Sequence, residues 1–320
     1  MRKRPISLFL LLICLACALI SPAHAQEASY TVGICQFMQH ESLDEATRGF
    51  KAALTDAFGA HVAFLDRNAY GDHTMCSSIV GDLIAKEVDL LLANSTTALQ
   101  VTSNATADIP ILGTAITDYH VALQLDDFDG TVGGNVSGTT DLVPAQEQAD
   151  MIAELFPLAQ TVGILYCSSE PNSQYQAETL QAALSSMGYA CQAYLFIDSN
   201  DLSSATTTAA SECDVLFIPT DNTVAANAEL IANICLPEKV PVIAGEESTC
   251  LICGVATISI DYYALGYATG EMAVQILRDG ADISSMPIER ASGFDKMYNP
   301  SICEALGIRV PDGYSALDAG

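Results

Sequence analysis

Five short clusters of small polar and acidic residues recur along the 320-residue chain, each where an apolar run stops: Asn94-Ser95-Thr96, Thr114 to Asp118, Ser168-Ser169-Glu170, Thr220-Asp221-Asn222 and Glu246-Glu247-Ser248. Hydroxyls and side-chain amides donate hydrogen bonds, carboxylates accept them, and none of these groups is a strong nucleophile by itself. Such a set suits holding a small polar molecule better than transforming one. In open α/β sheets, ligands sit outside the carboxyl ends of the strands, where loops lead into helix N-termini. The same residue types also cap helices, so each cluster alone has a structural reading as well; five of them together point to binding.

Catalytic patterns are missing. Cys167 follows an apolar run, but no histidine stands near it in sequence, and no G-x-S-x-G elbow occurs. With no G-x-G-x-x-G after a strand and no G-x-x-x-x-G-K-[ST], neither a dinucleotide nor ATP is expected, and no cofactor is implied. No metal site is expected either. Cys250-Leu-Ile-Cys253 lacks the second ligand pair that zinc requires, and in an exported protein a local Cys250–Cys253 disulfide is the expectation.

The elements that must carry these clusters follow from the apolar rhythm. Tyr30–Cys35, His61–Leu65, Leu90–Ala93 and Ile109–Gly113 read as strands, alternating with helical patterns over 42–58, over 75–86 and after Asn94-Ser95-Thr96 through Val101. Residues 126–143, rich in Gly, Asp and Thr, interrupt the alternation. A second cycle follows, with strands at 161–166, 189–196, 215–219, 240–244 and 255–259 and helices at 144–156, 172–187, 202–211 and 225–235. A late helix from Asp261 through Arg278 and a return at 288–292 imply that the chain crosses between two sheets more than once. The fold class expected is α/β, two Rossmann-like lobes with a hinge. The first lobe would hold residues 30–140 and 261–288, the second 141–260 and 289–320.

Composition bounds the partners. Half the residues are apolar, and the formal net charge is −27. So acidic a chain repels nucleic acid and anionic lipid, and no nucleic-acid partner is expected. Residues 1–25 read as a signal peptide: Arg2, Lys3 and Arg4, an apolar stretch from Ser7 to Ile20, then Ala23-His24-Ala25. The protein is therefore expected to be exported, periplasmic or at the cell surface, and monomeric. Cys17 is the alternative, as a lipid anchor, but the apolar run continues past it. Nine cysteines lie beyond the signal, an odd number, so at least one thiol stays unpaired or pairs between chains.

Five segments taken in register carry a resemblance: Gly33-Ile34-Cys35-Gln36 with His40 to Asp44, Thr114 to Asp118, Tyr166 to Ser173, Pro219 to Val224, and Ile260 to Gly266. Together they resemble the substrate-binding proteins of ABC importers, in the group associated with tryptophan, tyrosine and phenylalanine uptake. The resemblance implies a type I periplasmic-binding-protein fold that closes over its ligand by hinge bending. It also implies an amino-acid ligand and docking to a membrane permease driven by a separate ATPase.

A zwitterionic ligand needs both charges satisfied when the cleft closes. Thr96, Thr114 and Thr117 from one lobe, and Ser168, Ser169, Asn172 and Ser173 from the other, are candidates for the carboxylate, with Ser95 beside them as a further ligand-binding candidate. Asp118, Asp221 and Glu246 are candidates for the ammonium, Asp221 foremost because it follows the best-defined strand; Thr220, Asn222 and Asp261 complete the polar set. Phe37 and Met38 are candidates to contact an aromatic side chain, with the core as the alternative for Phe37. His40 is expected as a hydrogen-bonded structural residue, and one of Tyr262 and Tyr263 as bordering the cleft. Arginine is absent from the five loops, which disfavours dicarboxylates and phosphates. A branched amino acid or a nucleobase remains an alternative ligand, and a ligand-sensing domain an alternative role.

Overall fold

The computed structural model describes residues 30–291 and 293–318; the expected signal peptide and Cys17 lie outside them. Strands β1 (Tyr30–Gln36), β2 (Val62–Asn68), β3 (Leu90–Asn94), β4 (Ile111–Ile116) and β5 (Val136–Thr140) come first. Next are β6 (Thr161–Cys167), β7 (Ala190–Phe196), β8 (Val215–Ile218), β9 (Val242–Ala244) and β10 (Ala256–Ser259). β11 (Glu289–Arg290), β12 (Asp295–Tyr298) and β13 (Ser315–Ala316) close the series. The helices of the first half are α1 (Glu41–Phe58), α2 (His73–Ala85), α3 (Thr96–Ala105) and α4 (Tyr119–Leu123). Those of the second are α5 (Ala145–Leu155), α6 (Pro171–Ser186), α7 (Ser199–Glu212), α8 (Asn222–Ala225), α9 (Ala228–Glu238) and α10 (Glu247–Cys253), followed by α11 (Tyr262–Asp279) and α12 (Pro300–Leu306).

One sheet runs β11-β5-β4-β3-β1-β2, parallel throughout, and the other β13-β12-β10-β9-β8-β6-β7, in which only β10 and β12 pair antiparallel. Helices cover both faces of the first sheet, so β3 is buried along its whole length. Its alternation sends Leu90 and Leu92 to the face covered by α1 and α11, and Leu91 and Ala93 to the face covered by α2 and α3. That is why its sequence is a continuous apolar run rather than an alternating one. Each fully buried leucine contributes about 1.5–3 kcal/mol through removal from water.

The chain passes between the sheets three times: after β5, between β10 and α11, and between β11 and β12. The long helix α11 returns to the first sheet and packs on α1 with backbones nearly touching. A Cβ at Gly266 would lie 1.9 Å from the Ala46 carbonyl oxygen, and one at Gly49 would lie 2.0 Å from that of Tyr263. Glu289–Arg290 still pair with β5, so the chain leaves the first sheet two residues beyond the expected border at 288.

Two segments depart from the sequence reading. The Gly/Thr-rich stretch expected to interrupt the alternation contains β5, a buried inner strand. Its hydroxyls, which suggest a loop, are satisfied inside the protein: Thr139 Oγ1 pairs with Thr269 Oγ1 at 2.8 Å, and Ser137 Oγ donates to the Met286 carbonyl at 3.0 Å. Gly138 is required there, with φ 143°, because any Cβ would meet the Gly113 carbonyl at 2.1 Å. The expected Cys250–Cys253 disulfide is not formed; both thiols are free. Three residues apart on α10, they point into different clusters, Cys250 toward Ala244 and Leu317 and Cys253 toward Val242 and Cys235. Among the described residues, no helix is long and apolar enough to cross a membrane.

Candidate functional site

The carboxyl ends of both sheets face one another across a narrow cavity. From the first lobe come His40, Ser42, Leu43, Thr96, Ala115 and Thr117; from the second come Asn172, Thr220, Asp221, Asn222 and Glu246. Asp141 and Tyr262 stand on two of the three crossings and also line it. The empty space between the walls, open solvent at the mouth included, amounts to about 300 Å³. Direct bonds hold the lobes together at its edge: His40 Nε2 to Asn222 Oδ1 at 3.1 Å, Ser42 Oγ to Ser248 Oγ at 3.1 Å, and Thr117 Oγ1 to Thr220 Oγ1 at 3.4 Å.

Among the described residues no lysine or arginine lines the cavity, while three carboxylates do. Asp141 is buried, and its Oδ2 accepts from Tyr262 Oη at 2.9 Å. Its Oδ1 has no partner. Burial raises this carboxyl to about 6, and the charge of Glu246 adds to the effect, against partial relief from the hydrogen bond of Tyr262. Glu246 Oε1 accepts from both Ser248 Oγ and Thr249 Oγ1. Asp221 is differently placed. Its Oδ2 accepts from the Cys167 backbone N–H at 2.7 Å and its Oδ1 from that of Val224 at 2.9 Å, so both oxygens hold the fold. Burial, and then the charge of Glu170, raise it well above the usual carboxylate range. Behind the wall, buried Glu170 takes four donors from Asn222 and Thr223, satisfying the N-terminus of α8.

Three buried polar atoms of the lining lack partners: Asp141 Oδ1, Asn172 Oδ1 and His40 Nδ1. All three are acceptors. The Asn172 amide is oriented by Nδ2 donating to the Thr220 carbonyl at 2.8 Å, which leaves its oxygen free. Asn222 Nδ2 donates to Glu170, so its Oδ1 accepts from His40 Nε2–H, which leaves Nδ1 as the lone-pair nitrogen of the neutral imidazole tautomer. A buried acceptor left unmade costs about 1–3 kcal/mol, so the site is complementary to a group rich in N–H or O–H. Opposite in character, the N-termini of α1 and α3 bring Ser42, Leu43 and Thr96 to the cavity, and first-turn N–H groups have no intrahelical acceptor.

Backbone strain gathers at this rim. Ser95 (φ 106°) and Ala115 (φ 53°) occupy left-handed conformations unusual for residues with a Cβ, at about 1–3 kcal/mol each. Ala115 falls within the irregular register between β4 and β5, which turns it into the cavity wall.

The candidate residues divide accordingly. Thr96, Thr117, Asn172, Thr220, Asp221, Asn222 and Glu246 are brought together in the cavity wall. Ser95 caps α3, Asp118 caps α4 and Asp261 caps α11 from outside it. Thr114 is fully buried in a hydroxyl cluster with Thr139 and Thr269, and Ser173 is buried against the Thr220 carbonyl. Ser168 and Ser169 are exposed and bond to carbonyls at the end of β7. Phe37 takes its alternative place in the core, edge-on to His73, and Met38 packs between two apolar clusters rather than lining the cavity. His40, expected to be structural, is both structural and part of the lining. Asp141 and Gln176 were not anticipated; Gln176 bridges Thr117 and Thr220.

Residues 31–319 match the sequence profile described as ABC transporter substrate binding protein. A tyrosine-binding protein of Clostridioides difficile (strain R20291) is 31% identical over 281 residues, 87% of this chain and 81% of that protein. An ABC domain from Streptococcus pneumoniae, solved in complex with L-Trp, superposes with a TM-score of 0.85 at 31% identity, covering 91% of this chain and all of that one. The ligand-free, open structure of a substrate-binding protein with adhesive properties from Clostridium difficile superposes with a TM-score of 0.70 at 34% identity, over 91% of this chain and all of that one. The lower score at higher identity is what lobes drawn together, as the bonds across the cavity describe, would give. In fold, in cleft and in sequence, the chain belongs to the ABC transporter substrate-binding protein family.

Proposed function

We propose that the protein is the extracytoplasmic binding component of an ABC importer, which closes on an amino acid with an aromatic side chain and delivers it to a membrane permease. The observation that carries the reading is the set of three unpartnered acceptors, Asp141 Oδ1, Asn172 Oδ1 and His40 Nδ1, in a cavity lined by no described lysine or arginine. An α-ammonium offers three N–H donors and the positive charge that Asp141 and Glu246 lack. The α-carboxylate is assigned to the N-termini of α1 and α3, with the Ser42, Thr96 and Thr117 hydroxyls as neutral donors. Helix N-termini hold an anion without placing a cation beside the ammonium, which accords with the absence of arginine. Tyr262 and His40 are the rings available to a flat side chain. The aromatic class is supported by the tyrosine-binding relative and by the relative solved with L-Trp.

In this reading the lobes close because the ligand completes bonds to both of them. Asp141 and Tyr262 sit on the crossings, so occupancy of the ammonium site is felt where the hinge bends. Calorimetry against the twenty amino acids tests the assignment: heat confined to Tyr, Trp and Phe is expected. Heat only from branched amino acids, nucleobases or sugars would overturn it. A ligand at 100 times its Kd should add about 2.7 kcal/mol of apparent stability.

A further inference from the structure

Away from the cleft, two thiols lie against one another under the first sheet. Cys35, near the end of β1, and Cys76, in the first turn of α2, bring their Sγ atoms to 3.5 Å, and both are fully buried. Among the described residues this is the one thiol–thiol contact within hydrogen-bond distance; Cys167, Cys253 and Cys303 donate to backbone carbonyls instead. A disulfide holds its sulfurs about 2.05 Å apart, so closing the pair needs a movement of about 1.5 Å, within reach of side-chain rotation.

We propose that Cys35 and Cys76 form a redox pair that closes to a disulfide, tying α2 to β1 beneath the loop that carries His40 into the cleft. The surroundings suit such a tie. Segment 69–76 already hangs on the end of β1 through Ala69 N–H to the Gln36 carbonyl, Gly71 N–H to the Phe37 carbonyl, and the His73–Phe37 ring contact. A covalent bond one turn further along would lock this segment and the 37–40 loop together. The two thiols are also unequal. The Cys35 hydrogen bond lowers Cys76, whose place at a helix N-terminus favours its thiolate, while the same contact and burial raise Cys35.

The oxidant is an external disulfide, for which glutathione disulfide is the probe. The Cys76 thiolate attacks one of its sulfurs, the glutathione S–S bond breaks, and one glutathione thiolate leaves. Cys35, deprotonated, then attacks Cys76 Sγ in the mixed disulfide and expels the second glutathione. Two protein thiols and one glutathione disulfide thus become one protein disulfide and two glutathione thiols; two electrons leave the protein and its two protons end on glutathione. Because both sulfurs are buried, the bond forms while the chain folds or when the first turn of α2 opens, and it is then shielded from reductant.

The experiment is to unfold and reduce the full chain, refold it in a glutathione redox buffer, alkylate the remaining thiols, and map the peptides by mass spectrometry. The expected result is one peptide pair joined through Cys35 and Cys76, lighter by two hydrogens. With the cysteines 41 positions apart, the loop closed is long enough to raise the urea midpoint by about 1 M over the reduced protein. Reduction should abolish the rise, and C76A should not show it. Recovery of both cysteines singly alkylated would overturn the proposal and leave two small packed hydrophobes. Pairing of either with another cysteine, or a joined pair with an unchanged or lower midpoint, would overturn it too. The mapping uses the unmodified chain, so it stands even if C76A does not fold.

Discussion

Asp141→Asn separates the binding role of this carboxylate from any structural one. Asparagine keeps the shape and can still accept from Tyr262 Oη, but it removes the charge. In the unliganded protein that charge is a liability, because burial raises the carboxyl from 3.8 to about 6. A folded-state value above the unfolded one means that the favourable contribution is complete below about pH 4. It is lost as the pH rises through 6, beyond which the ionised group opposes folding. A shift of about two units corresponds to about 3 kcal/mol; since the new amide also needs partners, the unliganded variant should gain about 1–3 kcal/mol at pH 8 and little at pH 4. Ligand binding should move the other way. Losing a charge-assisted bond to an ammonium costs about 1.5–3 kcal/mol, which is about a 10–150-fold rise in Kd. The wild-type Kd should also rise with falling pH below about 6, whereas that of the variant should be flat across this range. Urea unfolding without ligand and calorimetry from pH 5 to 8 read both effects. A variant that binds as tightly as wild type with the same pH profile would refute the reasoning.

Other perturbations follow from the same geometry. Asp221→Ala should lower unliganded stability by about 2 kcal/mol or more, since it strips acceptors from two buried backbone N–H groups; unchanged urea unfolding would return Asp221 to a purely ligand-facing role. Tyr262→Phe should weaken the amino acid and move the acid limb of its binding profile to higher pH, because Asp141 loses the hydrogen bond that partly relieves it; an unmoved limb in calorimetry would count against the assignment. Gly266→Ala should cost about 3 kcal/mol or more, or prevent folding, as its Cβ would strike the Ala46 carbonyl; a neutral result in thermal unfolding would mean that α1 and α11 separate easily.

Most of the fold was legible in the sequence because buried parallel strands are continuous apolar runs, and Leu90–Ala93 or Val215–Ile218 admit few other readings. β5 escaped because its composition, Val-Ser-Gly-Thr-Thr, is that of a loop, and only the partners of Thr139 and Ser137 elsewhere in the chain explain its burial. Asp141 escaped with it, as the residue after an unrecognised strand. Asp221 illustrates a different limit: a carboxylate after a strand and before a helix can face a ligand or cap the helix, and position in the sequence is the same in both cases. Phe37, likewise, stands at a strand end but turns into the core, a choice made by His73 and the packing beneath it. Four of the five clusters place a residue in the cavity wall, whereas Ser168-Ser169-Glu170 does not; which atoms within the wall remain unpartnered depends on hydrogen bonds spanning far-separated positions, such as His40 with Asn222.

The most direct measurement compares, by calorimetry, an aromatic amino acid that binds with its two headless analogues, the amine lacking the carboxylate and the acid lacking the ammonium. Loss of measurable binding for both is the predicted result, with the deaminated acid failing because Asp141, Asn172 and His40 keep their unpartnered acceptors. Binding of that acid as tightly as the parent amino acid would contradict an ammonium site in the cleft.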